Sequence, residues 1–239
     1  MNTKKFNKGN VKVIAHRGVS GLECENTAAA FVAAGNRSYF GIETDMHVTA
    51  DGKLLITHDA STLRLSGIDI DVEKATFAEI ENIHLYDKAE GVTRRDLVLP
   101  TLEEYFRICK RYEKVAVLEL KGPAVEAAYV EMLELIRSME YFDSTIFITF
   151  GQENALMVRR LSADAKIQFL TSKFTPELVD WLLENNFDLD IHHSALNKET
   201  VDLLHSKGIE INCWTVDSLE RAEELVEMGI DYITSNILE

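Results

Sequence analysis

Apolar residues fall in short β-branched runs that alternate with stretches of helical period along almost the whole chain. Runs at 11–15, 39–48, 114–120, 145–150, 166–171, 187–191, 209–215 and 232–234 read as strands. Between them lie helical patterns near 27–34, 102–111, 125–139, 153–161, 176–185, 198–206 and 219–227. Strands that alternate with helices imply a parallel sheet. Eight such units predict an α/β fold of the (β/α)8 TIM-barrel type. Five residues follow 234, so the eighth helix is expected to be truncated.

Local signals support this count. Thr101 with Glu104 reads as a capping box after Pro100, and Thr175 precedes Pro176 at a first helical position. Asp217 with Glu220 reads as a further cap, and Gly208 and Gly229 as left-handed helix ends before strands. Asp51-Gly52, between apolar runs, predicts a hairpin turn within the second unit. Residues from about 60 to 99 form a long excursion with a short helix expected within 76–85. That excursion is too small for a core of its own. It is expected to be an insertion after the second strand, in a single domain spanning 1–239. Barrel insertions of this kind shape active-site mouths.

Composition narrows the function classes. Forty Asp and Glu against 25 Lys and Arg give a net charge of −15. Such a surface repels nucleic acid and anionic membranes, yet a local cation and a few bases can still admit a small anion. No apolar signal core follows Met1 and no run has membrane-spanning length. Cys24, Cys109 and Cys213 show no CxxC spacing and read as reduced thiols. A cytoplasmic protein with no stable membrane association and a small-molecule substrate is the expectation.

The polar residues at predicted strand ends carry the chemistry. Glu43 and Asp45, at i and i+2 of one strand, share a face. They read either as an exposed acidic end or as ligands whose repulsion a cation relieves. All-oxygen ligation favours Mg²⁺, Ca²⁺ or Mn²⁺. Glu119 ends an apolar strand, with Lys121 two residues on; the two form either a structural ion pair or part of the same site. His16 and His58 fall where the chain leaves the barrel wall, suited to general acid and base roles. Arg17 can hold phosphate oxygens through its fork, and Gly18 lets the backbone approach closely. Asn26 or Thr27 is expected to cap the first helix. His47, His84 and His205 read as surface or interface residues; His192 and His193 end the sixth strand and are weaker candidates, either structural or with one of them lining the pocket. Trp214 and Phe150 end strands and either fill the barrel or pack against a substrate's apolar backbone.

The ordered series His16-Arg17-Gly18, Glu25-Asn26-Thr27, Glu43-Thr44-Asp45 and His58-Asp59 resembles the glycerophosphodiester phosphodiesterase family. The stretches Glu43 to Arg64, Leu99 to Glu104, Leu118 to Lys121, Cys213 to Val216 and Gly229 to Thr234 extend the resemblance nearly end to end. It implies metal-dependent hydrolysis of glycerophosphodiesters to glycerol 3-phosphate and an alcohol through a cyclic phosphate, within lipid and glycerol metabolism. It also implies His16 and His58 as the acid/base pair, Glu43, Asp45 and Glu119 as metal ligands, and Arg17 and Lys121 as phosphate contacts. Alternatives are a lysophospholipase D-like phosphodiesterase, a phosphate-binding barrel without catalysis, and a sugar-phosphate isomerase. The chain departs from the family's pattern at Cys24, where Pro is usual, and at Asn236, where an Asp is common.

Overall fold

The computed structural model describes residues 2–88 and 90–239. Eight parallel strands close into a barrel: β1 (Lys12–Ala15), β2 (Gly41–Val48), β4 (Val115–Leu120), β5 (Thr145–Thr149), β6 (Lys166–Thr171), β7 (Asp188–His192), β8 (Ile211–Trp214) and β9 (Tyr232–Ser235). Closure comes from β1, which pairs with both β2 and β9. The Asp51-Gly52 turn folds β3 (Leu54–Ile56) back antiparallel onto β2. Helices α1 (Ala28–Gly35), α4 (Leu102–Arg111), α5 (Glu126–Ser138), α6 (Gln152–Leu161), α7 (Pro176–Asn185), α8 (Lys198–Ser206) and α9 (Leu219–Met228) lie between strands. Residues 236–239 form no helix. Among the described residues, no helix is long and apolar enough to cross a membrane.

Alternation within each strand divides the apolar residues. One set meets the helices in the main core, where Phe31 and Tyr105 pack edge to face at 5.1 Å. The other fills the barrel, with Ile14, Val117, Ile146, Ile148 and Leu170 in contact. At the barrel's base the Lys12 ammonium lies over the Tyr232 ring, 4.5 Å from its centroid. This leaves the polar side chains to gather at the other end, where the strands finish.

Helix starts follow the capping chemistry. Thr101 accepts from the Glu104 amide, Thr175 from Leu178 and Thr27 from Ala30. Gly229 ends α9 in the left-handed region. One cap differs from expectation: Ser218, not Asp217, caps α9. The Asp217 carboxylate is used elsewhere, by Ser235 and Asn236.

The insertion holds two short helices, α2 (Leu63–Ser66) and α3 (Phe77–Ile80). The helix expected in 76–85 covers only Phe77–Ile80, and α2 lies outside that stretch. Val72, Ile80, Ile83, Leu85, Leu97 and Leu99 pack around Leu55 of β3 in a small cluster of their own.

Candidate active site

Every chemical candidate lies at the C-terminal end of the barrel, where loops can add substrate contacts without disturbing the wall. The register sets Asp45 of β2 directly beside Glu119 of β4. Oxygens of Glu43, Asp45 and Glu119 come within 4.8 Å of one another, and all three residues are buried. Burial first, then the charge of Asp45, pushes the Glu119 carboxyl up to about 8. Glu43 is raised for the same reasons, with Glu119 adding to them. Asp45 moves down: burial opposes its charge, but Arg17, His58, Lys121 and the Asn26 hydrogen bond outweigh burial. Buried Asp45 Oδ1 has no hydrogen-bond partner. Three clustered carboxylates with an unfilled acceptor fit a hard divalent cation.

The first turn after β1 is built to reach this cluster. Arg17 and Gly18 both adopt positive φ. A Cβ on Gly18 would lie 2.7 Å from the Ala30 backbone carbonyl carbon, so only glycine fits. The turn aims the Arg17 amide at Glu43 Oε2, at 2.7 Å. The Arg17 guanidinium donates to Glu25 at 2.8 Å and lies 3.5 Å from Asp45. Arg64 also donates to Glu25, and despite burial these two guanidinium groups hold that carboxyl down to about 2. Lys121 Nζ is 2.9 Å from Glu119 and 3.7 Å from Asp45.

Asn26 does not cap α1. It is buried at positive φ, accepts from Thr44 Oγ1 at 2.7 Å and donates to Asp45 Oδ2 at 2.8 Å. That bond orients the carboxylate while leaving Oδ1 free.

The two histidines are held differently. His16 Nδ1 lies 2.8 Å from Asn236 Oδ1. The Asn236 amide nitrogen donates to Asp217 at 2.6 Å, so its oxygen must face His16. His16 therefore donates from Nδ1, and its Nε2, 4.0 Å from Glu43, carries the lone pair. Burial, helped by the Arg17 charge, lowers its pKa. His58 Nδ1 lies 2.7 Å from Asp59. Its pKa is also lowered, by burial first, against the opposing charge of Asp45.

A cavity of ≈ 100 Å³ joins His16, Arg17, His58, Glu43 and Glu119 on one side to Phe150 and Trp214 on the other. Phe150 is 48% exposed and meets Trp214 edge to face, so it is not barrel core. His192 packs on Trp214 and stacks with His193. His84 and His205 are on the surface as expected, whereas His47 is buried. Asp190, which sequence reasoning passed over, lines the cavity floor. Burial raises its carboxyl, and its Oδ1 is unpartnered. The signal that could have drawn attention to it is an acidic residue between Leu189 and Ile191, near the C-terminal end of its strand.

The barrel thus gathers three carboxylates and two histidines at the C-terminal ends of its strands, and family membership gives the class of enzyme. The chain belongs to the glycerophosphoryl diester phosphodiesterase family, which it matches over residues 16–238, and it is a phosphoric diester hydrolase. A glycerophosphodiester phosphodiesterase from Caldanaerobacter subterraneus is 28% identical over 230 residues, 94% of this chain and 93% of the relative. The fold matches an Oleispira antarctica phosphodiesterase solved with its product sn-glycerol-3-phosphate, at TM-score 0.89 and 24% identity, covering 98% of this chain and 96% of that one. A Parabacteroides distasonis glycerophosphodiester phosphodiesterase matches at TM-score 0.80 and 26% identity, over 95% and 93% of the two chains.

Proposed function

We propose that this protein hydrolyses glycerophosphodiesters to glycerol 3-phosphate and an alcohol, in a single barrel domain over 1–239. The observation that carries the reading is the meeting of His16, His58, Arg17, Glu43 and Glu119 around one cavity, with an Asp45 oxygen within 4.8 Å of those of the two glutamates. Glu43, Asp45 and Glu119 would hold a divalent cation, Mg²⁺ or Ca²⁺ or Mn²⁺. When bound, it would acidify a hydroxyl and offset phosphate charge. Arg17 and Lys121 hold the non-bridging phosphate oxygens. The glycerol hydroxyl next to the ester attacks phosphorus as one histidine takes its proton. The P–O bond to the alcohol breaks as the other histidine protonates the leaving oxygen. Water then opens the cyclic phosphate with the two roles exchanged. Trp214 and Phe150 pack against the glycerol carbons. Three buried free thiols fit a reducing, cytoplasmic setting.

The exposed Phe150 at the mouth also favours a second reading, in which the alcohol side accepts a lipid chain as in a lysophospholipase D. Turnover of glycerophosphocholine, glycerophosphoethanolamine, glycerophosphoglycerol and lysophospholipids, with Mg²⁺, Ca²⁺ or chelator, tests both. Cleavage of none of them under any condition would sink the proposal.

A further inference from the structure

The strand that carries Glu43 and Asp45 holds a third polar residue at the same period of two, His47. It is only 3% exposed. Its Nε2 lies 3.1 Å from the carbonyl oxygen of His58. A carbonyl can only accept, so the imidazole N–H donates. Its Nδ1 lies 2.8 Å from Glu73 Oε1, in the insertion.

Glu73 is not there by chance of rotamer. The Ala50 amide donates to the Ala75 carbonyl at 2.9 Å, and the Phe77 amide to Asp51 at 3.0 Å. Segments 47–51 and 73–77 are therefore linked at three successive points. Glu73 also fills the space left by Gly122, just after Lys121. A Cβ on Gly122 would lie 2.2 Å from Glu73 Oε1, and its φ is +65°. One imidazole thus joins the insertion, through a glutamate seated on the β4 loop, to the backbone of His58.

We infer that His47 and Glu73 form a strut that positions His58, so that the insertion governs turnover through this link. The inference rests on the proposed acid/base role of His58. His47 and Glu73 are positioning residues and touch no reacting atom. His47→Leu removes the donor, whereas His47→Gln can present an amide N–H at similar reach. His47→Leu should lower kcat at least about tenfold with KM changed less than about twofold. His47→Gln should recover most of that loss. Glu73→Ala, cut at the half-buried insertion end, should lower kcat in the same sense and serves where His47→Leu does not fold.

A second readout does not depend on substrate. The His58 ring Cε1–H NMR signal, assigned by its loss in His58→Gln, should shift or broaden in His47→Leu and Glu73→Ala and return in His47→Gln. An unmoved signal, a kcat equal to wild type in Leu and Ala variants, or an equal loss in the Gln variant would overturn the strut. If wild-type protein cleaves no glycerophosphodiester, the proposed function fails, and the NMR signal alone decides the strut.

Discussion

Titrating a divalent cation into chelator-stripped protein at several pH values probes the acidic cluster directly, because cation and protons compete for the same oxygens. Without a cation, Glu119 holds a proton up to about pH 8, through burial and the charge of Asp45. A cation binding below that pH must displace it. Well below its pKa one displaced proton weakens affinity about tenfold per pH unit; with Glu119 half protonated at pH 8, Kd should rise about 50-fold from pH 8 to pH 6. The raised Glu43 can only steepen this dependence. Stability follows the same sign. Between the ordinary value of 4.5 and about 8, the folded form keeps a proton that the unfolded chain has lost. The metal-free protein therefore loses stability as pH rises through that window. At about 1.4 kcal/mol per unit, this carboxyl sets an upper bound of about 5 kcal/mol, and Glu119→Gln should flatten the slope. A cation at about a hundred times its Kd adds back about 2.7 kcal/mol, which for a chain of this size raises Tm by about 5–10 °C. Isothermal calorimetry in buffers of different ionisation enthalpy counts the released protons, and scanning calorimetry reads Tm. A Kd that stays flat from pH 6 to 8 without proton release, or a Tm at pH 8 that no divalent cation moves, would refute the reasoning.

Further outcomes follow from the proposed chemistry. His16→Ala and His58→Ala should each lower kcat by about 10²–10⁴-fold with Tm preserved; a variant near wild-type kcat removes that histidine from the mechanism. Asn236→Leu, which frees the His16 ring without touching Nε2, should lower kcat by about 10–100-fold, the usual scale for a partner that orients a functional ring. Undiminished kcat would detach Asn236 and Asp217 from the site. Glycerophosphodiesters lacking the 2-hydroxyl should bind and inhibit but turn over very slowly, and equal kcat would exclude the cyclic route. Phe31→Ala, a core deletion behind β2, should cost about 3–5 kcal/mol in urea unfolding; a loss below about 1 kcal/mol would contradict its close packing.

The barrel was legible because period and caps agree. Boundaries at 102–111, 176–185 and 198–206 match their helices, each opened by a Thr or Asn side chain that accepts a backbone amide. Where the reading slipped, a side chain was used across the fold. Asp217 and Glu220 have capping-box spacing, but barrel closure sets Asp217 against Ser235 and Asn236, and Ser218 takes the cap. The choice left open between Asn26 and Thr27 is settled by Thr27, which caps the first helix while the Asn26 amide turns to Asp45. His47 looked like a surface residue because nothing local shows that the insertion covers it. Phe150 reads as the end of an apolar strand, and only the closed barrel reveals that it stands at the rim. Motif residues His16, Arg17, Glu43, Asp45, His58, Glu119 and Lys121 were visible as types and spacings. Their orienting partners were not, because those bonds join residues as far apart as His16 and Asn236.

Charge balance at the rim explains why these partners matter together. Glu25, Asp45, Asp59 and Glu119 are linked by ion pairs with Arg17, Arg64 and Lys121, and Glu43 joins them through the Arg17 backbone amide. With all five carboxyls ionised against three bases, the group carries −2, enough to repel a phosphodiester at short range. A divalent cation brings it to neutrality. Arg64 is held by Glu25 and Asp59, and Glu25 takes one arm of Arg17. Only Lys121 and the rest of Arg17 then remain to offset Glu43, Asp45 and Glu119. The strand register keeps those three together whatever their side chains prefer, since Asp45 and Glu119 are neighbours across the sheet. Repulsion in the cluster is therefore fixed by the backbone, and the surrounding core must offset it. A doubly charged cation held by these three carboxylates would offset that repulsion and, with it, the negative field that opposes a substrate anion.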